Sequence, residues 1–271
     1  MLNKYNIALT TLLLLLVGCS SGHKEFKFVK AIELGNITPI GLAFDGTDIW
    51  LSDGDNNQVV KINREGKVLQ KLENFERPMH IAYNKGNLYI PQYGRDTITI
   101  ISKNNNNKTL PIDMDLDAPA GVAVDNNYIA IADFYNHRVL LKNKKGWQSI
   151  GKKGRNKPAE FEYPTDVHFN NDILYVADAY NHRIQVFDLN GKHLRTFGRP
   201  EKMNATTGIF VDDNYVYATD FENGRLLIYN HIGQLQQIID TGFENPTDVA
   251  IINNELYVTD YKLKKILVYK Q

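Results

Sequence analysis

The chain has 271 residues, 43% of them hydrophobic and 23% charged, which is the balance of a folded globular protein. Basic and acidic residues number 31 each, so the formal charge of zero implies no polyanionic partner. Fifteen Tyr and twelve Phe against nineteen Gly and nine Pro favour β structure and exclude a disordered chain.

In chain order, the first element is a processing segment. Lys4 supplies a positive start, and Ile7 to Val17 is an apolar run broken only by Thr10 and Thr11. A membrane span needs about 20 apolar residues, so this run is too short to remain as one. It ends in Leu16-Val17-Gly18-Cys19, which resembles a bacterial lipobox. That resemblance implies cleavage of residues 1–18 and lipidation of Cys19. Residues 19–25 then form the lipidated Cys and a polar tether, and the body is extracytoplasmic, in the periplasm or on the cell surface. Nucleic acid is not an expected partner there. Cys19 is the only Cys, so no disulfide forms within the chain.

Residues 26–271 read as one unit repeated. Equivalent positions are Asp53, Gln92, Asp133, Asp178, Asp220 and Asp260, at intervals of 39, 41, 45, 42 and 40 residues. Each unit opens near a Pro or small residue (PIGLAF, PMHIAY, PAGVAV, PTDVHF, TTGIFV, PTDVAI) and runs into DIWLSD, NLYIPQ, YIAIAD, ILYVAD, YVYATD or ELYVTD. A polar turn and a third run follow, then a fourth in the earlier units. β-branched and aromatic residues between Asn, Asp and Gly clusters predict four short strands per unit. Many strands are apolar on both faces, as in Ile49-Trp50-Leu51, so each sheet must be covered on two sides. The last unit is one strand short, and FKFVKAIEL at 26–34 is an unassigned strand. The expected fold is therefore all-β: a six-bladed β-propeller of four-stranded antiparallel sheets, with the N-terminal strand completing the last blade. Pro91 stands inside a predicted strand, and a bulge is expected there.

The stretch PTDVHFNNDILYVADAYNHRIQVFDLNGKHLRTFG, with AEFEYP before it, resembles an NHL repeat. The resemblance extends over all six units and is weakest in the second. In the recurring turn, Asp133 with His137 or Arg138, and Asp178 with His182 or Arg183, are expected to form hydrogen-bonded staples. No third ligand accompanies His137 and His182 for a metal.

Ligands of six-bladed propellers generally bind at the channel mouth, beside the starts of the first strands. The two residues after each starting position are Ile40-Gly41, Met79-His80, Ala120-Gly121, Thr165-Asp166, Thr207-Gly208 and Thr247-Asp248. His80, Thr165, Asp166, Thr207, Thr247 and Asp248 are thus candidate channel-mouth ligand groups. His80, Asp166 and Asp248 fall in alternate blades, a three-fold set whose donor types suit a divalent cation. The same groups could instead bond the backbone at the channel rim. Amidating lyases built on NHL-like propellers use several His at strand starts, whereas only blade two carries one here, so a three-His zinc site is not expected. Lactonase-type propellers hold calcium with acidic and Asn side chains, and Asp53-Gly54-Asp55-Asn56-Asn57 is either such a site or a solvated turn.

After the Asp position come Gly54, Tyr93, Phe134, Ala179, Phe221 and Tyr261. Tyr93, Phe134, Phe221 and Tyr261 form a candidate aromatic collar, or else each ring packs on the neighbouring turn. No Gly-rich phosphate loop, Ser-His-Asp set or Cys nucleophile is present. The leading expectation is a lipid-anchored module with a monomeric body and no cofactor, binding a protein, peptide or glycan. The alternative is a metal-dependent lyase or lactone hydrolase using His80, Asp166 and Asp248.

Overall fold

The computed structural model describes residues 25–104 and 106–271. The expected leader, Cys19 and most of the tether lie outside the described residues. Six four-stranded antiparallel sheets follow one another, five of them simple meanders. In blade four, Pro164–Asn170, Ile173–Asp178, Arg183–Asp188 and His193–Phe197 run from the central axis outward. Blade six takes three strands from Pro246–Ile252, Glu255–Asp260 and Lys265–Lys270. Its outermost strand is Lys27–Glu33, antiparallel to Lys265–Lys270 from Lys27↔Lys270 to Glu33↔Lys265.

The core is divided into six apolar layers, each between two neighbouring blades. Val176, Leu174 and Phe187 of blade four meet Ala132, Val139 and Leu141 of blade three. Their other neighbours, Tyr175, Ala177 and Val186, meet Ala218, Leu227 and Tyr229 of blade five. Alternate residues of one strand therefore serve opposite layers, which is why both parities are apolar. The sixth layer packs Ile32, Ile252 and Val268 of blade six against Leu51, Val60 and Ile62 of blade one.

Pro91 causes no bulge toward the third strand, since Asn87–Gln92 pairs with Thr97–Ser102 in unbroken register. Its effect falls on the other edge. The missing N–H removes the bond that Ser52 N and Thr219 N make to Gly41 O and Gly208 O in blades one and five, and beyond Ala82–Asn84 the inner strand keeps an isolated bridge at Pro78↔Gln92.

The recurring turn is a staple built on the buried Asp. Asp178 accepts from Arg183 Nε at 2.7 Å, Gln185 Nε2 at 2.9 Å and the backbone N–H of Glu162 at 2.9 Å. Asn181 Nδ2 adds a fourth donor at 2.9 Å. Asp133 accepts from Arg138 Nε and Asn136 Nδ2 in the same way. Of the two expected partners, Arg fills the role and His does not. His137 and His182 adopt left-handed backbone and turn toward the next blade. There Nδ1 of each accepts a backbone N–H, from Tyr163 and Ala205 respectively, both at 3.2 Å. The oxygen-rich turn at Asp53 is spent likewise, its carboxylate held by Asn56 and Gln58 side chains.

Candidate functional site

The first strands of blades three, four and six each carry a one-residue register shift at their start, between Pro119 and Gly121, Pro164 and Asp166, and Pro246 and Asp248. A bulge re-aims the side chain beside it. Here the extra residues are Ala120, Thr165 and Thr247, and Asp166 and Asp248 follow directly. Both carboxylates converge on His80 of blade two. His80 Nδ1 lies 3.4 Å from Asp248 Oδ2 and 3.9 Å from Asp166 Oδ2. The three residues are 3–5% exposed, so the set is buried in the axis and does not form an open mouth.

Close approach of the inner strands makes this possible. A Cβ on Gly41 would stand 2.7 Å from His80 Cα, one on Gly121 2.8 Å from Asp166 Cα, and one on Gly208 2.7 Å from Asp248 Cα. Gly in blades one, three and five thus clears room for the functional side chains of blades two, four and six. This Gly-His-Gly-Asp-Gly-Asp alternation is a sequence signal that the three-fold spacing alone did not use.

The carboxylates also bond the backbone. Asp166 accepts from Val167 N at 2.8 Å and, across the blade boundary, from Ile209 N at 2.9 Å. Asp248 accepts from Val249 N at 2.8 Å and from Leu42 N at 2.7 Å. The backbone-bonding role weighed from the sequence is therefore filled by both carboxylates. His80 differs: its buried Nδ1 makes no aligned hydrogen bond. Burial opposes charge on His80, but Asp166 and Asp248 outweigh it and hold the imidazole above its usual range. Burial pushes the Asp166 carboxyl up to about 7, with His80 opposing and Asp248 adding to the rise. The three Thr candidates are committed elsewhere. Thr165 donates to Thr206 O, Thr207 to Thr247 O and Thr247 to Pro39 O, so each ties its blade to the next.

A cavity of about 280 Å³ extends from Asp166 and Asp248 along the first strands, past Val122, His168 and Phe210. It lies on the side of the first-to-second-strand hairpins, away from the expected mouth. His168 has no partner for its buried Nδ1, and burial pushes its imidazole down to about 4. A folded-state value below the unfolded 6.5 gives stability that is present above pH 6.5 and lost as pH falls toward 4. His168→Leu should therefore lose less stability across that window than the unsubstituted chain, as read by urea midpoints at each pH. Equal losses would refute the assignment.

On the face bearing the second-to-third-strand turns, the expected collar is not a ring. Tyr93 and Phe134 stand 5.6 Å apart and join Tyr135, Tyr163 and Tyr180 in one continuous cluster. Arg77 lies over Tyr93 at 4.9 Å, extending the cluster with a cation. Phe221 and Tyr261 form a separate pair at 6.4 Å. The gaps fall at Gly54, which has no ring, and at Ala179, which is buried. Tyr163 was missing from the sequence-based collar because it precedes a first strand and does not belong to the turn.

Residues 116–140 match the NHL repeat, and residues 162–262 match the SMP-30/Gluconolactonase/LRE-like region. No curated protein matches the chain. Among solved structures, virginiamycin B lyase from Staphylococcus aureus is similar at 15% identity and a TM-score of 0.66, over 91% of this chain and 100% of that one. A gluconolactonase from Xanthomonas campestris is similar at 16% identity and 0.73, over 89% of each chain. A luciferin-regenerating enzyme is similar at 12% identity and 0.69, over 89% of this chain and 95% of that one. At these identities the likeness establishes a shared fold. The six-bladed propeller expected from the sequence is the architecture present, and the NHL resemblance is matched at residues 116–140.

Proposed function

We propose that this propeller is a lipid-anchored, extracytoplasmic binding module that takes a protein, peptide or glycan on its aromatic face. The observation that carries this reading is the continuous cluster from Tyr93 to Tyr180, in which Tyr135 and Tyr180 remain 48% and 54% exposed. Aromatic rings with polar tips, half out of water, supply large contact area at small entropic loss. The turns beneath Phe134 and Tyr180 are held firmly, because Asp133 and Asp178 staple them and His137 latches the first of them to blade four. Screening peptide and glycan arrays should return a ligand whose affinity falls about 30-fold in the Tyr135→Ala, Tyr180→Ala double variant, the loss typical of an interface hot spot. Phe221→Ala should leave that affinity unchanged. An unaffected double variant would sink the reading.

A second reading rests on the convergence of His80, Asp166 and Asp248, whose ligand atoms lie within 4.8 Å of one another. The His80–carboxylate separations of 3.4 and 3.9 Å suit a divalent cation at bond lengths of about 2.0–2.2 Å. Together with cavity access and the lyase and gluconolactonase names of similar propellers, this supports a metal-dependent lyase or lactone hydrolase. The cation would supply Lewis acidity. The chain's own residues would hold it and shape the cavity beside it.

A further inference from the structure

The exposed large apolar side chains are unevenly placed. Apart from Tyr135 and Tyr180, every one among the described residues sits on the outermost strands of blades four, five, six and one, or on the turn leading into them. Phe28 and Val29 are 58% and 50% exposed on blade six, Ile232 and Leu235 on blade five are 66% and 37% exposed, and Val68 and Leu69 on blade one are 40% and 47% exposed. The outer strands of blades two and three carry none.

These residues belong to one continuous sector. Lys27–Glu33 runs along the circumference from blade five to blade one. At its start, Phe26 N donates to Gln237 Oε1 and Gln237 Nε2 donates to Phe26 O, both at 2.9 Å. At its other end, Ile32 packs so close to Gly66 that a Cβ there would meet it at 2.7 Å. Lys30 Nζ also reaches Arg64 O of blade one at 3.4 Å. The sector is centred on the strand through which the chain joins the propeller from residue 24.

We propose that this sector of the rim rests on the lipid bilayer, with Phe28, Val29, Ile232, Leu235, Val68 and Leu69 dipping into the interface. The proposal rests on the lipid-anchored reading above. With the lipid on Cys19, the eight residues to Lys27 reach at most about 29 Å, so the start of the N-terminal strand stays within that distance of the headgroups whatever the body does. A body so tethered gains free energy by turning its apolar sector toward the acyl boundary, where such side chains sit about 5–10 Å deep. Lys27, Lys30 and Lys67 are exposed beside the apolar residues, placed for contact with lipid phosphates. The aromatic face lies on another side of the disc and stays free for its ligand.

The test uses the full chain in vesicles of phosphatidylethanolamine and phosphatidylglycerol carrying a nitroxide-labelled lipid. A fluorophore is placed by Leu235→Cys or, on the far side of the ring, by Ser149→Cys, with the unsubstituted chain reporting any labelling of Cys19. Lys30→Cys gives a second label in the same sector. The expected result is quenching about threefold stronger at 235 and 30 than at 149, in keeping with shallow interfacial insertion. Protein that floats with the vesicles but is quenched equally at all positions would overturn the rim contact and leave the anchor intact. Protein that does not float would overturn both. Unquenched rim labels with cross-linking between copies at 235 would overturn it in favour of a second copy of the chain.

Discussion

Asp178→Ala is expected to destabilise the propeller by about 3–5 kcal/mol, the loss seen when one member of a buried ion pair is removed. Neither partner is accessible: Asp178 is fully buried, and the side chain of Arg183 is 3% exposed. Alanine would strand the Arg183 Nε and the Glu162 backbone N–H, and would leave the Asn181 and Gln185 amides only their carbonyl acceptors, Gly154 O and Glu160 O. At roughly 2–4 °C per kcal/mol for a chain of this size, the thermal midpoint should fall by roughly 6–20 °C. The equivalent Asp133→Ala should do less harm, since Arg138 is 23% exposed and can be rehydrated. Blade two supplies the control. There Gln92 replaces the Asp, accepting from Glu76 N at 2.9 Å and donating to Thr99 Oγ1 at 2.6 Å, with no cation in the Arg position. Moving that solution into blade four as Asp178→Gln with Arg183→Thr should therefore be milder than Asp178→Ala alone. If the double variant unfolds at a lower temperature than the single one, the stranded charge is not the cause.

The same comparison shows what was legible in the chain. Six sheets were readable because each apolar run serves two layers, as Leu174 and Tyr175 do on opposite faces of blade four. The alternation of His80, Asp166 and Asp248 was readable because Pro78, Pro164 and Pro246 stand two residues before them and fix the register of those first strands. Their burial was not. It arises from ring closure, which brings six strand starts within van der Waals distance, and no single unit encodes that. Pro91 was placed in its strand correctly, but which neighbour it fails depends on which edge its N–H would have faced. His137 and His182 follow the Asp as Arg138 and Arg183 do, so sequence spacing could not separate the staple from the latch. The left-handed backbone at both His residues separates them.

For the channel set, adding zinc or manganese to chelator-stripped protein at a pH above 7 should raise its thermal midpoint. A ligand at a hundredfold excess over its dissociation constant contributes about 2.7 kcal/mol. By the same conversion as above, that is a rise of roughly 5–11 °C. The cause is specific: His80 Nδ1 is buried without an aligned partner, and two carboxylates face it across 3.4 and 3.9 Å. A cation would satisfy the first and neutralise the second. His80→Ala should abolish the rise while leaving the two carboxylates facing one another, and Asp166→Asn should weaken it. Protons compete for the same atoms, because the pocket holds His80 above its usual range and Asp166 up at about 7. The rise should accordingly shrink as pH is lowered from 8 through 7 toward 6, the direction expected when ligands must shed protons to bind. Elemental analysis supplies the independent readout, with one ion per chain expected and none in His80→Ala. A midpoint indifferent to every divalent cation tried, in protein free of bound metal, would reduce the three residues to a buried hydrogen-bonded plug. The Gly alternation would then serve only to let that plug close the axis.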